Sequence, residues 1–350
     1  MKTFLITMGP IPGKLDSVKY ITNRFKGGLM AKVASKLSEN PDFKIDVIKW
    51  KHTDIKLDNV NIIDVDDVYD YVNKVLENEY DVYVMGAAVA NLIPKNPFEG
   101  KFPSHNYKVG DTISIDFEIA PRAIDEIKKK YPKSTLIAYK LFDSSDEELV
   151  KAGWLTLIES KANAVFCNHP NWAKDRKIML TPDGAQTHLT FDEHIDMISR
   201  MANLEWYRTV LRKEVIRDKP DIKLDIKLEL LKISKEWMGY SFGCVAIRNM
   251  NGFLTTTRGK KGSGIVHVFG VDHERRIVYS EGIVKATLNA PLLHKLFRKY
   301  PNVNKIIHGH GVIDAPTIDY LFPGTTDENK ALDLNEMNFN IKGHGYYKLI

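Results

Sequence analysis

The chain has 350 residues but only two cysteines, Cys167 and Cys244. Their spacing fits neither a metal knuckle nor a disulfide framework. That excludes a disulfide-stapled scaffold and suits a reducing, cytoplasmic setting. Long hydrophobic runs are missing too. No window approaches ~18 uninterrupted apolar residues, so no membrane span is expected. The opening "MKTFLITMGP" has an apolar run too short for a secretory signal. Charge of one sign is not concentrated anywhere. The 50 basic and 45 acidic residues are interspersed and leave a formal net charge of +5. Such a diffuse excess can help recruit a small anion, but it does not predict a nucleic-acid partner. There is no GxGxxG, no P-loop sequence, no internal repeat and no low-complexity segment.

What is present is enough apolar material for real cores. Hydrophobic residues make up 43% of the chain and charged residues 27%. The length suits two domains of ~150 residues or more each. "KTFLITMG" predicts a buried strand ending in a turn. "GGLMAKVASKLSENPDFKIDVIKW" predicts a glycine-opened amphipathic helix and a second strand. Further helices are expected over "VDDVYDYVNKVLENEY", "EIAPRAIDEIKKKYP" and "SSDEELVKAGWLTLIESK", with strands over "DVYVMGAAVA", "STLIAYKLF" and "ANAVFCNHP" between and after them. One long helix is expected over "TFDEHIDMISRMANLEWYRTVLRKEVI". Regular alternation of this kind predicts a doubly wound, Rossmann-like α/β domain with a parallel sheet, over residues 1–215. After "KPDIKLDIKLELLKISKEWMGY" the strands cluster, as in "SFGCVAIR", "NGFLTTT", "GIVHVFGVD" and "RRIVYSEG". Residues 220–350 are therefore expected to form an α+β domain.

In open parallel sheets, ligands gather at the carboxyl ends of the strands. Here those ends carry "TMGPIPGK", "GAAVANLIPKN", "YKLFDSS" and "CNHPNW". "NRFKGGLMAKV" adds Asn23, Arg24 and Lys26 before a helix start, which makes a plausible anion cradle. The stretch "FLITMGPIPGKLDSVKYITNRFKGGLMAKVASKL" resembles the opening of the phosphopantothenate–cysteine ligase family. Asp16, Tyr20, Ile21 and Asn23 follow that family's Tyr-Ile-Ser-Asn pattern without a gap. "AAVAN" resembles its Ala-Ala-Val-Ala-Asp segment, Lys101 falls on its following lysine, and "CNHP" puts Asn168 on its asparagine. The likeness runs over about residues 1–208. It implies a ligase that activates a carboxylate with CTP or ATP and Mg²⁺, then joins it to an amine. The resemblance implies that Lys101 neutralises nucleotide phosphate charge and that Asn23 hydrogen-bonds the acyl intermediate. Gly9, Asp16, Gly27, Ala87, Ala88 and Asn168 complete the implied nucleotide and substrate site. The family's Ser-Ser-Gly-Lys is Phe25, Lys26, Gly27 and Gly28 here, and its Lys-Ile-Lys-Lys run is reduced to "KFPS".

In "KIIHGHGVID", His308 and His310 share one strand face because side chains alternate. A catalytic divalent site wants about three protein ligands. His267, His273, His294 and His344 are the candidates for the third, and "GHG" around His344 is the most suggestive. This half resembles the class II aldolase/adducin family. "SFGCVAIR" keeps Ser241, Gly243 and Arg248 of its Ser-x-Gly-Asn-Val-Ser-x-Arg, with Cys244 on the asparagine. "GFLTTTRG" supplies Thr256 and Gly259. "LNAPLLHKLFRKYPNVNKIIHGHG" is similar to its segment ending His-x-His, and "GHGYY" to its Asn-His-Gly. The resemblance implies a divalent metal, zinc first, on His308, His310 and His344. The implied substrate pocket holds Gly243, Thr256, Gly259, Thr287 and Asn289. The family's acid/base glutamate stands nineteen residues before the first metal histidine, where this chain has Asn289. An amide cannot shuttle a proton, so altered chemistry is expected. Glu281 lies nearby in sequence.

The reading that combines both halves is a nucleotide-dependent carboxylate–amine ligase fused to a metal-binding aldolase-like domain. It would act on a phosphorylated small molecule, as a homo-oligomer. The alternatives are a metal-dependent lyase or dehydratase on a phosphorylated sugar, and a non-catalytic binding or scaffold protein.

Overall fold

The computed structural model describes residues 1–214, 220–237, 240–258 and 264–350. By its contacts the chain forms two units. One comprises residues 1–182 and 188–202, the other residues 183–187 and 203–350.

The first unit begins with β1 (Lys2–Thr7), α1 (Gly28–Ser38), β2 (Phe43–Trp50), β3 (Asn61–Val65), α2 (Val68–Glu77) and β4 (Val82–Met85). It continues with α3 (Ala123–Lys130), β5 (Thr135–Leu141), α4 (Asp146–Ser160) and β6 (Ala164–Asn168). β7 (Arg176–Leu180), β8 (Gln186–Thr190, whose first two residues group with the second unit) and α5 (Phe191–Ala202) follow. The sheet order is β8-β7-β6-β5-β4-β1-β2-β3. β1 to β6 run parallel, and β7 is antiparallel to β6. Central strands of a parallel sheet are covered on both faces, and every residue of β4 is accordingly buried. α1 buries Met30, Val33, Ala34 and Leu37, a single helical stripe. Local chemistry sets the helix starts: Asp67 accepts from the Tyr69 and Asp70 N–H groups, and Ser145 accepts from Glu148 N–H. The chain builds outward from β1 in one direction and then, from β4, in the other. The order therefore reverses between β1 and β4, where the two following loops leave a crevice.

The long helix expected over residues 190–216 is not formed. α5 stops at Ala202, and Arg208–Lys213 is a strand, β9. The β-branched Thr209 and Val210 tolerate extended backbone, and the segment is held as a strand by parallel pairing with Ile277–Gly282. The strands β3, β7 and β8 escaped the sequence reading.

The second unit starts with β9 and continues through α6 (Pro220–Ile233), β10 (Cys244–Asn249), β11 (Gly252–Thr256), β12 (Ile265–Asp272) and β13 (Ile277–Gly282). Then come α7 (Ala290–Lys299), β14 (Lys305–Gly309), β15 (Thr317–Ile318), β16 (Asn338–Ile341) and β17 (Gly345–Leu349). The sheet order is β9-β13-β12-β11-β10-β14-β17-β16-β15. Its described pairings are antiparallel except at the ends, where β9 joins β13 and β15 joins β16 in parallel. α6 packs Ile226 and Leu230 on Val245 and Leu254, with Ile222, Ile233, Ile247 and Ile265 around them. This is the expected α+β arrangement. Arg248 ties the sheet to the end of α7, donating to the carbonyls of Val303, Phe297 and Tyr300 at 2.9, 2.8 and 3.0 Å.

Candidate functional site

In the first unit, the loops after β1 and β4 meet at the crevice. Ala88 N–H donates to Gly9 C=O at 2.9 Å, and Ala87 N–H to Thr7 Oγ1 at 3.2 Å. Asn23 Nδ2 donates to Ala88 C=O at 3.0 Å. Gly27, at φ 86°, lies so close that a Cβ on it would stand 2.7 Å from both the Cα and the N of Gly9. Gly9, Asn23, Gly27, Ala87 and Ala88 thus form one backbone-lined cradle at the head of α1.

The Asp16 loop and the segment 100–102, which carries Lys101, form a second group. Asp16 is fully buried. Its carboxylate accepts from the N–H groups of Val18, Lys19 and Phe102 at 2.7, 2.6 and 3.0 Å, and from Lys19 Nζ at 2.9 Å. Burial pushes its pKa up, but these donors outweigh burial and hold the carboxyl well below the usual carboxylate range. Ser17 N–H also donates to Gly100 C=O at 3.0 Å. The loop therefore pins both neighbours of Lys101, whose own side chain is exposed. Asn168 ends β6, with β5 between it and β4. It is buried, its C=O accepts from Phe142 N–H at 3.1 Å, and no contact joins it to the cradle among the described bonds.

In the second unit, His308, His310 and His344 each turn a ligand atom inward, all within 4.8 Å of one another. Ring centroids are 4.6 to 5.2 Å apart. His308 and His344 are buried and His310 is half-buried. His308 Nδ1 bonds Tyr346 C=O at 2.9 Å, which turns Nε2 to the cluster. Gly345 makes the convergence possible. Its backbone comes so close to Gly309 C=O that a Cβ would lie 2.1 Å from that oxygen. Three imidazole nitrogens on one small volume, two of the rings buried and one half-buried, match the donor set of a divalent cation such as zinc.

The other candidates for the third ligand are engaged elsewhere. His267 bonds Glu281 at 2.9 Å and Asn251 C=O at 3.0 Å. His273 and His294 bond each other at 2.9 Å, and Tyr207 bonds His273 at 2.8 Å. Burial pushes both down to about 4, so the pair is neutral at pH 7. Glu281 is held by His267. Gly243 precedes Cys244, which pairs in register with His308. Asn289 is buried, with Nδ2 3.7 Å from Cys244 Sγ. Thr287 N–H donates to Thr256 C=O at 3.1 Å, so those two lie together. Gly259 lies outside the described residues.

Two acidic residues near the histidines had no signal in the sequence. Asp183 Oδ2 stands 2.6 Å from His344 Nε2. Glu328 is buried and accepts from Gly324 N–H at 3.0 Å, and burial pushes its pKa well up. Asp183 sits in a loop and Glu328 in the short 3₁₀ helix Thr326–Leu332, and neither segment has a periodicity that marks an inward-facing carboxylate.

Comparison with known proteins adds a family match. Residues 1–213 match the DNA/pantothenate metabolism flavoprotein C-terminal domain. A curated protein from Thermococcus kodakarensis, the coenzyme A biosynthesis bifunctional protein CoaBC, is 25% identical over 174 residues. That alignment takes in 48% of this chain and 41% of that protein, so the chain spans about two fifths of its relative's length. The solved DNA/pantothenate metabolism flavoprotein from Streptococcus pneumoniae is 20% identical with a TM-score of 0.48, covering 57% of this chain and 97% of that one. L-fuculose-1-phosphate aldolase from Thermus thermophilus is 15% identical with a TM-score of 0.28, covering 37% of this chain and 80% of that one.

Proposed function

Because the chain belongs to the DNA/pantothenate metabolism flavoprotein C-terminal domain family, we propose that its first unit is a nucleotide-dependent carboxylate–amine ligase of the phosphopantothenate–cysteine type. The observation that supports this best is the cradle at the strand-order reversal, where Gly9, Gly27, Ala87 and Ala88 offer close backbone approach and Asn23 is fixed by Ala88. A carboxylate is a poor electrophile. In the proposed reaction its oxygen attacks the α-phosphorus of CTP or ATP, forming an acyl–phosphate bond and releasing pyrophosphate. The deprotonated cysteine amine then attacks the acyl carbon, and the nucleoside monophosphate leaves with the original carboxylate oxygen. Lys101 supplies a point positive charge against the phosphates, with Mg²⁺ sharing that load. Asn23 holds the acyl intermediate, and Asn168 and Gly9 complete the binding surface. Asp16 fixes the strand of backbone that carries Lys101.

The second unit, in this reading, holds one divalent cation on His308, His310 and His344. Such a cation would act as a Lewis acid toward an oxygen ligand. Asn289 has no proton to give, which argues against an ordinary sugar-phosphate lyase. The experiment is incubation of the full chain with Mg²⁺, 4′-phosphopantothenate, cysteine and either CTP or ATP. Sustained pyrophosphate release should require all components, with at most one equivalent per active site when cysteine alone is left out. No release with either nucleotide would overturn the ligase reading.

A further inference from the structure

The cradle at the head of α1 has a further wall, the loop that follows β2. β2 pairs in parallel with β1, so this loop leaves the same carboxyl edge of the sheet as the turn carrying Gly9. Two of its side chains reach the cradle glycines. A Cβ on Gly9 would stand 3.2 Å from Thr53 Oγ1 and 3.4 Å from Thr53 Cγ2, and one on Gly27 would stand 3.6 Å from Ile55 Cδ1. The loop holds its shape through backbone bonds: Thr53 N–H donates to Trp50 C=O at 2.8 Å, and Ile55 N–H to Thr53 C=O at 3.0 Å. The Thr53 hydroxyl takes no part in them. The residue is only 9% exposed, and its Oγ1 is buried without a hydrogen-bond partner among the described residues. An unpaired buried hydroxyl costs stability, so packing alone would favour valine here. α1 starts against the same glycine. Gly27 is its N-cap, no side chain caps its first N–H groups, and its first turn carries no acidic residue. The hydroxyl and the start of the helix thus both border the bare backbone of Gly9, a set of donors that suits an oxyanion.

We infer that Thr53 is a ligand-binding residue of this cradle, its hydroxyl donating a hydrogen bond to a phosphate oxygen. The inference rests on the ligase reading, in which two reactants carry phosphate: the nucleotide and 4′-phosphopantothenate. A side chain at residue 9 would stand against the hydroxyl and cover it, so Gly9 keeps it available. A hydrogen bond to a charged oxygen is stronger than one between neutral groups. The hydroxyl therefore gains in the complex the partner that it lacks in the free chain.

The test sets affinity against stability. The full-length chain is titrated by isothermal calorimetry with CTP, with ATP and with 4′-phosphopantothenate, each with Mg²⁺, and is melted without ligand. Thr53→Val should bind at least one of these ligands about 10- to 100-fold more weakly than wild type. Its ligand-free melting temperature should equal or exceed that of wild type, because only an unpaired hydroxyl is removed. Thr53→Ser keeps the hydroxyl and should keep most of the affinity. A loss confined to the nucleotides assigns the bond to their phosphates, and a loss confined to 4′-phosphopantothenate assigns it to that one. No binding of any of the three by wild type overturns the ligase reading and this inference with it. Wild-type binding that is unchanged in Thr53→Val overturns the inference alone. So does a Thr53→Val chain that melts lower or does not fold, since the hydroxyl would then serve the loop and not a ligand.

Discussion

Replacing Gly27 by alanine tests the ligand cradle where the backbone leaves least room. Gly27 has φ 86°, and a Cβ there would sit 2.7 Å from Gly9 Cα and N. The left-handed backbone costs an L-residue roughly 1–2 kcal/mol. Relieving the contact by moving the Gly9 turn adds about 1–3 kcal/mol of overpacking. The neighbouring Gly28 is the control, since a Cβ there meets nothing within 4 Å. It begins α1, where alanine is favoured over glycine by up to ~1 kcal/mol. Gly27→Ala should therefore lower the thermal midpoint of the first unit and weaken CTP or ATP binding at least about 10-fold. Gly28→Ala should leave the midpoint unchanged or raised. Differential scanning calorimetry and a fluorescence titration with nucleotide read both effects. Equal stability and equal nucleotide affinity for Gly27→Ala and wild type would refute the close approach of these two turns.

Other expectations follow from single groups. His194 is fully buried between Tyr139 OH at 2.9 Å and Phe191 C=O at 2.6 Å, and burial pushes its pKa down to about 4 from 6.5. Its contribution is complete above the unfolded value and is lost as pH falls through the folded one. About 3 kcal/mol should disappear between pH 6.5 and 4, and urea denaturation of His194→Gln should lack that part of the slope. Lys101→Met should raise the KM for nucleotide about 10-fold or more with no change in melting temperature, because its side chain is exposed. Arg248 serves three carbonyls. Arg248→Met should therefore cost about 3 kcal/mol, and Arg248→Lys should not restore it, which thermal unfolding will report.

The regular parts of both units were legible in the sequence because they obey periodicity. The stripe Met30, Val33, Ala34 and Leu37 predicts α1, and the apolar run Val82–Met85 predicts β4. The α5 helix was read too long because the Arg and Leu residues after Ala202 suit helix as well as strand, and only pairing with β13 decides between them. The three histidines could be named from His-x-His and Gly-His-Gly, but the close approach of Gly309 and Gly345 that joins them is a long-range contact. Asp183 was out of reach for a different reason. It lies in a Pro-Asp-Gly turn, which reads as an ordinary loop, and nothing local records that residues 183–187 pack with the second unit. Asp16, by contrast, could be named from the motif, and the structure adds the reason its charge is held: four donors converge on one buried carboxylate.

The central claim is that the carboxylate is activated as an acyl nucleotide, and the fate of its oxygen tests this most directly. 4′-Phosphopantothenate labelled with ¹⁸O in the carboxylate is turned over with cysteine, Mg²⁺ and CTP or ATP, and the released nucleotide is examined by mass spectrometry. The account predicts one ¹⁸O atom in the nucleoside monophosphate for each amide formed. Label appearing in inorganic phosphate with release of a nucleoside diphosphate, or no turnover at all, would contradict it.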